Sequence, residues 1–458
     1  MTVRTAHRGR LLLSLTTALA GPVVAVSPAA ATPAGTPASS GPLAAAFDTA
    51  AARYDVPRDL LVALGYAESR LDMHGGAASA AGGYGLMHLA SNPRLRTLDE
   101  AATLTRLSQV ALRTEPAGNV LGAAAVLRSY ADQAGLTAAT RDDVNGWYAP
   151  VARYGGASDP SVARLYADTV YDLLRAGFTP AGGEAVVGRP VEPRRGGLKR
   201  AAVLGGFGAL STDYGPAAWA PASTSNYTVA SRPGSHPVTR VVIHMTQGSY
   251  AGSISWFQNP AAKVSAHYTF RSSDGAVTQS VREKDIAHHA GNWTYNTQSI
   301  GIEHEGYVDN PAWFTDAMYR ASAALTRALT TRYDIPRDRA HIIGHVEVPG
   351  ATHTDPGPNW NWTYYLQLVN GITGIGPGTV NTESANLNVR SGPGSSYPVV
   401  GSVADGATVA IYCQAVGSTV TGPYGTTAIW NRIGTNRYVS DAYVLTGHDG
   451  YIPNVPRC

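Results

Sequence analysis

The chain has 458 residues, which exceeds a single ordinary domain, so we expect several domains joined by linkers. Its 35 Lys and Arg side chains against 32 Asp and Glu leave a formal net charge of +3. So small an excess shows no sign of the strongly basic character of many nucleic-acid-binding proteins, and nucleic acid is not an expected partner.

The N-terminal segment has the parts of a secretory signal peptide. Three arginines precede an apolar run over residues 11–26, and small residues suitable for cleavage follow near Ala29 to Ala31. A membrane anchor is the alternative, but polar residues and a proline interrupt the run, which falls short of the roughly 20 residues that a span needs. We therefore predict that residues 1–31 are removed, leaving a secreted, extracellular protein without a membrane segment.

The chain contains two cysteines, Cys413 and Cys458. Export to an oxidising compartment favours a disulfide between them, which would fix the last residue to the C-terminal domain. Metal binding by this pair is the weaker alternative, because the spacing is not that of a zinc site and no histidine lies nearby.

Residues 42–178 are rich in Ala and Leu, with apolar residues at helical spacing, and predict an all-α domain. Residues 179–212 contain Gly, Pro and Arg without periodicity and indicate an exposed linker. Residues 213–370 alternate buried strands with amphipathic helices, which predicts an α/β domain with a mixed sheet flanked by helices. A Gly- and Pro-rich hinge over 371–380 precedes a small all-β barrel over 381–458.

Polar side chains follow two predicted strands of the central domain. His244 closes the run RVVIH and His345 closes HIIGH, and Asp355 follows a tight Pro/Gly turn. A single histidine at a strand end is usually structural. Two imidazoles and a carboxylate together, however, form a three-ligand zinc set that leaves a fourth position for water.

The strand SIGIEHEG offers a proton shuttle for such a centre. Alternation places Glu303 and Glu305 on the same face, with His304 opposite. Either carboxylate could be a solvated edge residue, but Glu303 directly follows an apolar run, where a buried carboxylate needs a reason.

The central domain closely resembles the zinc-dependent N-acetylmuramoyl-L-alanine amidases of type 2, a family that shares its fold with peptidoglycan recognition proteins. The resemblance covers about residues 240–368 and rests on five blocks in the family's order: VVIHMTQGS, SAHYTF, AHHAGNW, SIGIEHEG and GHVEVPGATHTDPGPNW.

The resemblance implies that His244, His345 and Asp355 bind Zn²⁺ and that Glu303 is the catalytic acid/base. Members with this ending commonly carry a lysine at the position of His353, where it steadies the oxyanion, and a protonated histidine can donate the same hydrogen bond. His353 as the third zinc ligand, in place of Asp355, is the competing assignment. His289, Asn292 and Trp293, which belong to the block AHHAGNW, are expected to bind substrate.

The N-terminal domain resembles the lysozyme-like fold of soluble lytic transglycosylases. Glu68 and Ser69 end a predicted helix, and the block GLMHL follows a Gly/Ala-rich loop. The resemblance implies that Glu68 is a catalytic acid/base for glycan cleavage. His88 stands where that family has a glutamine, and the family's AYNAG block has only a loose counterpart around Tyr148, so a non-catalytic glycan-binding domain is the alternative.

The C-terminal segment LNVRSGPGSSYPVVGSVADGATVAIYCQ resembles bacterial SH3-like domains, which attach enzymes to the cell wall. Tyr397, Trp430, Tyr438 and Tyr443 could form an aromatic groove or fill the small core.

Together these features predict a secreted, cell-wall-associated peptidoglycan hydrolase. We expect a monomer that cleaves the amide between N-acetylmuramic acid and L-alanine of the stem peptide by zinc-activated water. A peptidoglycan-recognition protein without catalysis is the alternative, as is a bifunctional enzyme that also cuts glycan strands with Glu68.

Overall fold

The computed structural model describes residues 41–179, 185–203, 210–371, 376–434, 436–452, 455 and 457–458. The predicted signal peptide lies outside the described residues. No helix within these ranges is both long enough and apolar enough to cross a membrane.

Helices build the first domain, as the sequence pattern predicts. They are α1 (Pro42–Tyr54), α2 (Arg58–Ser69), α3 (Thr97–Thr105), α4 (Gln109–Thr114), α5 (Pro116–Gln133), α6 (Tyr148–Tyr154) and α7 (Pro160–Ala176). Two short strands, β1 (Gly83–Tyr84) and β2 (Leu89–Ala90), pair antiparallel between α2 and α3. Helix α5 lies at the centre and contacts α1, α3, α4 and α6. Its small buried residues, such as Ala123 and Ala124, allow these neighbours to approach closely.

Of the described part of the predicted linker, residues 185–203 contact the helical domain, whereas residues 210–212 contact the central domain, where the hydroxyl of Ser211 donates to the side-chain oxygen of Gln279. Val186 and Val191 are buried in the apolar core of the helical domain, and Arg194 forms an ion pair with Asp143 at 2.6 Å. The Gly/Pro composition hides these contacts because the two valines follow no helical or strand period.

The central domain contains a six-stranded mixed sheet with the order β10-β5-β9-β6-β7-β3. Its elements are β3 (Ala218–Trp219), β4 (Tyr227–Thr228), β5 (Arg240–Met245), α8 (Tyr250–Gln258), β6 (Tyr268–Phe270), β7 (Val277–Gln279), β8 (Ile286–Ala287), α9 (Trp293–Gln298), β9 (Ser299–His304), α10 (Asp316–Arg332), β10 (Ile342–Gly344) and α11 (Trp362–Val369). Strands β10, β5, β9 and β6 run parallel, and β7 is antiparallel to β6. Short strands β4 and β8 pair separately.

Helices α10 and α11 cover one face of this sheet. Met318 and Leu325 of α10 share an apolar core with Ile243 of β5 and Ile300 of β9. The helix begins where the side chain of Thr315 accepts a hydrogen bond from the backbone N–H of Met318, which satisfies one of the free donors of the first turn. The sheet and its helices therefore match the predicted α/β architecture.

Two small sheets form the C-terminal barrel. Their strands are β11 (Gly376–Val380), β12 (Leu387–Arg390), β13 (Val399–Val403), β14 (Thr408–Ile411), β15 (Cys413–Gly422), β16 (Gly425–Gly434), β17 (Arg437–Ser440) and β18 (Val444–Leu445). The orders are β14-β11-β18 and β13-β12-β17-β16-β15. Strand β11 lies within the predicted hinge 371–380, of which residues 372–375 are outside the described ranges. The barrel therefore begins at Gly376, because this Gly/Pro segment is extended and pairs with both β14 and β18.

A disulfide bond joins the last residue of the chain to the barrel, and the barrel packs against the central domain. Cys413 and Cys458 form the predicted disulfide, with their Cα atoms 5.1 Å apart. Tyr412 is buried in the apolar core of the central domain, and the side chain of Asn361 donates to its hydroxyl at 2.5 Å. Of the aromatic residues that could form a groove or fill the core, Trp430 is buried in the barrel whereas Tyr397 is exposed.

Candidate active site

Parallel pairing of three strands brings together residues that the sequence assigns to the site. Strand β5 lies between β9 and β10 and runs parallel to both. The register pairs His244 with Glu303, and β10 ends at Gly344, so His345 follows directly. Because parallel strands end at the same edge of a sheet, the two imidazoles and the carboxylate meet there.

Asp355 reaches the same edge from the Pro/Gly-rich turn. The backbone N–H of Val346 donates to the carbonyl of Asp355 at 2.9 Å, and that of Met245 donates to its carboxylate Oδ2 at 3.3 Å. Gly357 has a φ of 78°, and a Cβ at this position would lie 2.6 Å from the Cβ of Val308. Glycine is therefore required at 357 for the turn that holds Asp355 against the end of β5.

His244, His345 and Asp355 form a compact donor set. Nδ1 of His244 lies 3.3 Å from Oδ2 of Asp355, and Nδ1 of His345 lies 3.1 Å from Oδ1. One possible ligand atom from each residue lies within 4.8 Å of the others, and all three side chains are buried. Two imidazole nitrogens and a carboxylate oxygen fit the three protein ligands of a catalytic zinc site.

The ionisation states of this set also suit a cation. Burial opposes ionisation of Asp355, but the adjacent imidazoles of His244 and His345 outweigh burial and hold the pKa of Asp355 well below its usual range. Burial lowers the pKa of His244, and the neighbouring carboxylate of Asp355 only partly offsets this effect. An ionised carboxylate and a neutral imidazole are the forms that bind a metal.

A chain of hydrogen bonds determines which ring nitrogen of His244 is free. The hydroxyl of Ser299 donates to the carbonyl of Tyr295 at 2.5 Å, so its oxygen accepts from Nε2 of His289 at 3.1 Å. Nδ1 of His289 is then an acceptor for the Nε2–H of His244 at 2.9 Å. Nδ1 of His244, which faces Asp355, therefore keeps its lone pair for a metal.

His304 holds the end of β5 from the other side. Its Nδ1 donates to the backbone carbonyl of His244 at 2.9 Å, and its Nε2 accepts from the hydroxyl of Ser322 at 2.7 Å. Burial lowers the pKa of His304 to about 3, so the ring is neutral at ordinary pH. The predicted alternation along β9 thus separates a structural histidine from the carboxylate of Glu303.

Glu303 is half-buried and lines the cleft next to the donor set. Its Oε2 is buried and has no hydrogen-bond partner among the described residues. Burial, and then the negative charge of Asp355, raises the pKa of Glu303 well above its ordinary value. A carboxyl with a free oxygen and a raised pKa is suited to accept a proton and later donate it.

Glu305 has a different role from Glu303. Its two carboxylate oxygens accept from the backbone N–H groups of Tyr250 at 2.9 Å and Ser272 at 2.7 Å. Because Tyr250 is the first residue of α8, this carboxylate caps the helix and leaves neither oxygen for catalysis.

His353 lies at the mouth of the cleft. Its ring is exposed and stacks on that of His345, with centroids 5.1 Å apart and planes inclined by 26°. Within the described residues, the compact three-ligand group contains Asp355 and not His353.

The three residues expected to bind substrate lie in different places. His289 lines the cleft but also supports His244, as described above. Asn292 caps α9 by accepting from the N–H of Tyr295 at 3.2 Å, and its side-chain N–H donates to the carbonyl of Pro349 at 3.0 Å. Trp293 is exposed and does not belong to the cleft lining.

The cleft has a volume of about 280 Å³ and is lined by two domains. Trp256, Phe257 and Val264 provide apolar surface from the central domain, and Ala80, Ala81 and His88 come from the helical domain. The sequence singles out His88 only as part of a glycan site and gives no signal for Ala80 and Ala81, because only tertiary packing places all three near His244.

The Glu68 position is closed in this arrangement. Its Oε1 accepts from the hydroxyl of Tyr166 at 2.5 Å, and its Oε2 accepts from the hydroxyl of Ser249 at 2.9 Å. The hydroxyl of Ser69 donates to the carbonyl of Leu86 at 2.7 Å. The pocket beside Glu68 has a volume of about 30 Å³, against about 280 Å³ for the cleft at His244.

Comparison with known proteins agrees with the geometry of the cleft. Residues 234–358 match a family described as N-acetylmuramoyl-L-alanine amidase, and residues 385–445 match the bacterial SH3 domain. The chain is 42% identical over 113 residues to the 1,6-anhydro-N-acetylmuramyl-L-alanine amidase AmpD of Citrobacter freundii, covering 23% of this chain and 58% of that protein. The crystal structure of a selenomethionine AmpD derivative has 29% identity and a TM-score of 0.30, covering 35% of this chain and 99% of that chain.

A further relative is matched over nearly its full length. N-acetylmuramoyl-L-alanine amidase A of Achromobacter lyticus is 43% identical over 178 residues, which cover 35% of this chain and 97% of that protein. The chain therefore belongs to the N-acetylmuramoyl-L-alanine amidases, and it is an enzyme of peptidoglycan cleavage.

Proposed function

We propose that the amidase reaction takes place at a zinc centre held by His244, His345 and Asp355. The observation that carries this proposal is the compact donor set, within 4.8 Å, next to the unpaired oxygen of Glu303. Zinc bound there would polarise the carbonyl of the scissile amide and lower the pKa of water. The substrate is the amide between the lactyl group of N-acetylmuramic acid and L-alanine.

Glu303 supplies the proton transfers of the reaction. Its free Oε2 takes a proton from the water that attacks the amide carbon, and the same carboxyl then protonates the alanine nitrogen as the C–N bond breaks. The products are the muramic-acid carboxylate and a stem peptide with a free amino group. The raised pKa of Glu303 makes both transfers accessible to one group.

His289 and His353 assist through different members of the donor set, since His289 contacts His244 and His353 stacks on His345. His289 is a positioning residue, since it fixes the tautomer of His244 through the bond at 2.9 Å. A protonated His353 at the cleft mouth would donate a hydrogen bond to the developing oxyanion.

We further propose that the enzyme is exported and acts at the cell wall. The N-terminal signal sequence and the disulfide between Cys413 and Cys458 fit an oxidising compartment. The SH3 match supports attachment to the wall through the C-terminal barrel. The helical domain is not proposed as a second hydrolase, because both oxygens of Glu68 accept hydrogen bonds from other side chains and the adjoining pocket is small.

Digestion of purified peptidoglycan by the full chain should release stem peptides that begin with L-alanine. A chelator should abolish this release and added zinc should restore it, because the donor set is required for the reaction. Mass spectrometry of the soluble and insoluble products measures both outcomes. Release that persists in chelator, or cleaved glycan strands with no freed peptides, would contradict the proposal.

Glu303→Gln should lower kcat about 10²- to 10⁴-fold, because the amide retains the shape of the side chain but cannot transfer the proton. Zinc content should stay at the wild-type level, since Glu303 is outside the donor set. Glu383→Gln, at an exposed glutamate of the barrel, is the matched control and should match the wild type. Similar kcat values for the two variants would remove Glu303 from the mechanism.

His289→Ala should weaken zinc affinity about 10- to 100-fold, because the tautomer and orientation of His244 are no longer fixed. Excess zinc should then recover much of the lost activity, which a directly catalytic histidine would not allow. Zinc titration with a competing chelator measures the affinity, with His448→Ala at an exposed barrel position as the control. Unchanged affinity in His289→Ala would show that His289 does not position the ligand.

A further inference from the structure

Helix α8 joins the central domain to the core of the helical domain. Tyr250, Ala251 and Ile254 are buried in the same apolar cluster as residues of α2 and α7, and α8 packs directly on α7. Because this face of α8 is covered by the helical domain, the two domains share one core instead of meeting at a loose boundary.

Glu68 accepts a hydrogen bond from the residue that precedes this helix. The hydroxyl of Ser249, directly before α8, donates to Oε2 of Glu68 at 2.9 Å, and Tyr166 donates to its Oε1. Glu68 is 3% exposed, so leaving its oxygens unpaired would carry a large desolvation cost. The carboxylate that resembles a catalytic acid thus serves to dock the two domains.

A second contact fixes the same orientation. The guanidinium of Arg70 lies 4.2 Å from the ring centre of Trp313, and its Nη1 donates to the carbonyl of Ala312 at 2.8 Å. The ring of His74 stacks on Tyr307 with centroids 3.5 Å apart. The helical and central domains are therefore joined at two separate sets of contacts.

This docking places the loop after α2 along the amidase cleft. The backbone N–H of Ala80 donates to the carbonyl of Gln247 at 3.3 Å, three residues after His244. Ala80 is exposed and Ala81 is half-buried, and both line the cleft together with His244 and Glu303. Their small side chains leave room for a substrate group on this side.

We infer that the helical domain is a specificity-determining wall of the amidase cleft, in which Ala80 and Ala81 limit the size of the substrate group beside the scissile amide. The inference rests on the cleft being the reaction site proposed above. In this inference the helical domain helps the amidase to recognise the muropeptide and does not catalyse a reaction of its own. Residues that contact substrate without touching the reacting atoms act mainly on KM.

Ala80→Trp in the full chain tests this wall, with Ala139→Trp as a matched control at another exposed alanine of the helical domain. For a soluble muramoyl-peptide, Ala80→Trp should raise KM at least about tenfold and leave kcat within about threefold. Zinc content and melting temperature should equal those of the control, because Ala80 is exposed and lies outside the donor set.

Equal KM values for Ala80→Trp and Ala139→Trp would overturn the inference that Ala80 contacts the substrate. If Ala80→Trp lowers the melting temperature, Ala81→Leu provides a smaller enlargement of the same wall and should still raise KM; an unchanged KM in that variant also overturns the inference. Failure of the proposed function is distinct, since the wild-type chain would then release no L-alanyl peptide.

Discussion

The candidate site depends on the close approach of the carboxylate of Asp355 to the ring nitrogens of His244 and His345. Burying three such groups is favourable only when their charges and lone pairs are matched. The parallel register of β5, β9 and β10 provides the positions, and the turn closed by Gly357 provides the carboxylate. The ring of His244 then donates a hydrogen bond to His289, and its backbone carbonyl accepts one from His304.

The same strand edge also explains the modular architecture. Helix α8 follows β5 after a short loop, is capped by Glu305 from the end of β9, and buries its outer face in the helical domain. The residues around Ser249 therefore contact both the end of the sheet and the helical domain. In the proposed cleft, the donor set lies at the edge of the sheet and the helical domain provides one wall.

The sequence indicates the candidate site because its signals are local. His244, His345 and Glu303 each lie at the end of a short apolar run, and the structure brings these runs together at one edge of the sheet. What it does not reveal depends on tertiary contacts. Asn292 is a helix cap, Val186 and Val191 anchor the segment taken as a linker, and β11 belongs to the barrel and not to the hinge. The engagement of Glu68 by Ser249 spans 181 positions and has no sequence signature.

Anomalous diffraction at the zinc edge from crystals of the full chain tests the central claim most directly. The account predicts one peak at about 2.0–2.2 Å from Nδ1 of His244, Nδ1 of His345 and a carboxylate oxygen of Asp355, with Glu303 near but unbound. A peak ligated by His353 in place of Asp355 would contradict the donor set. A peak ligated by Nε2 of His244 would contradict the tautomer that His289 imposes.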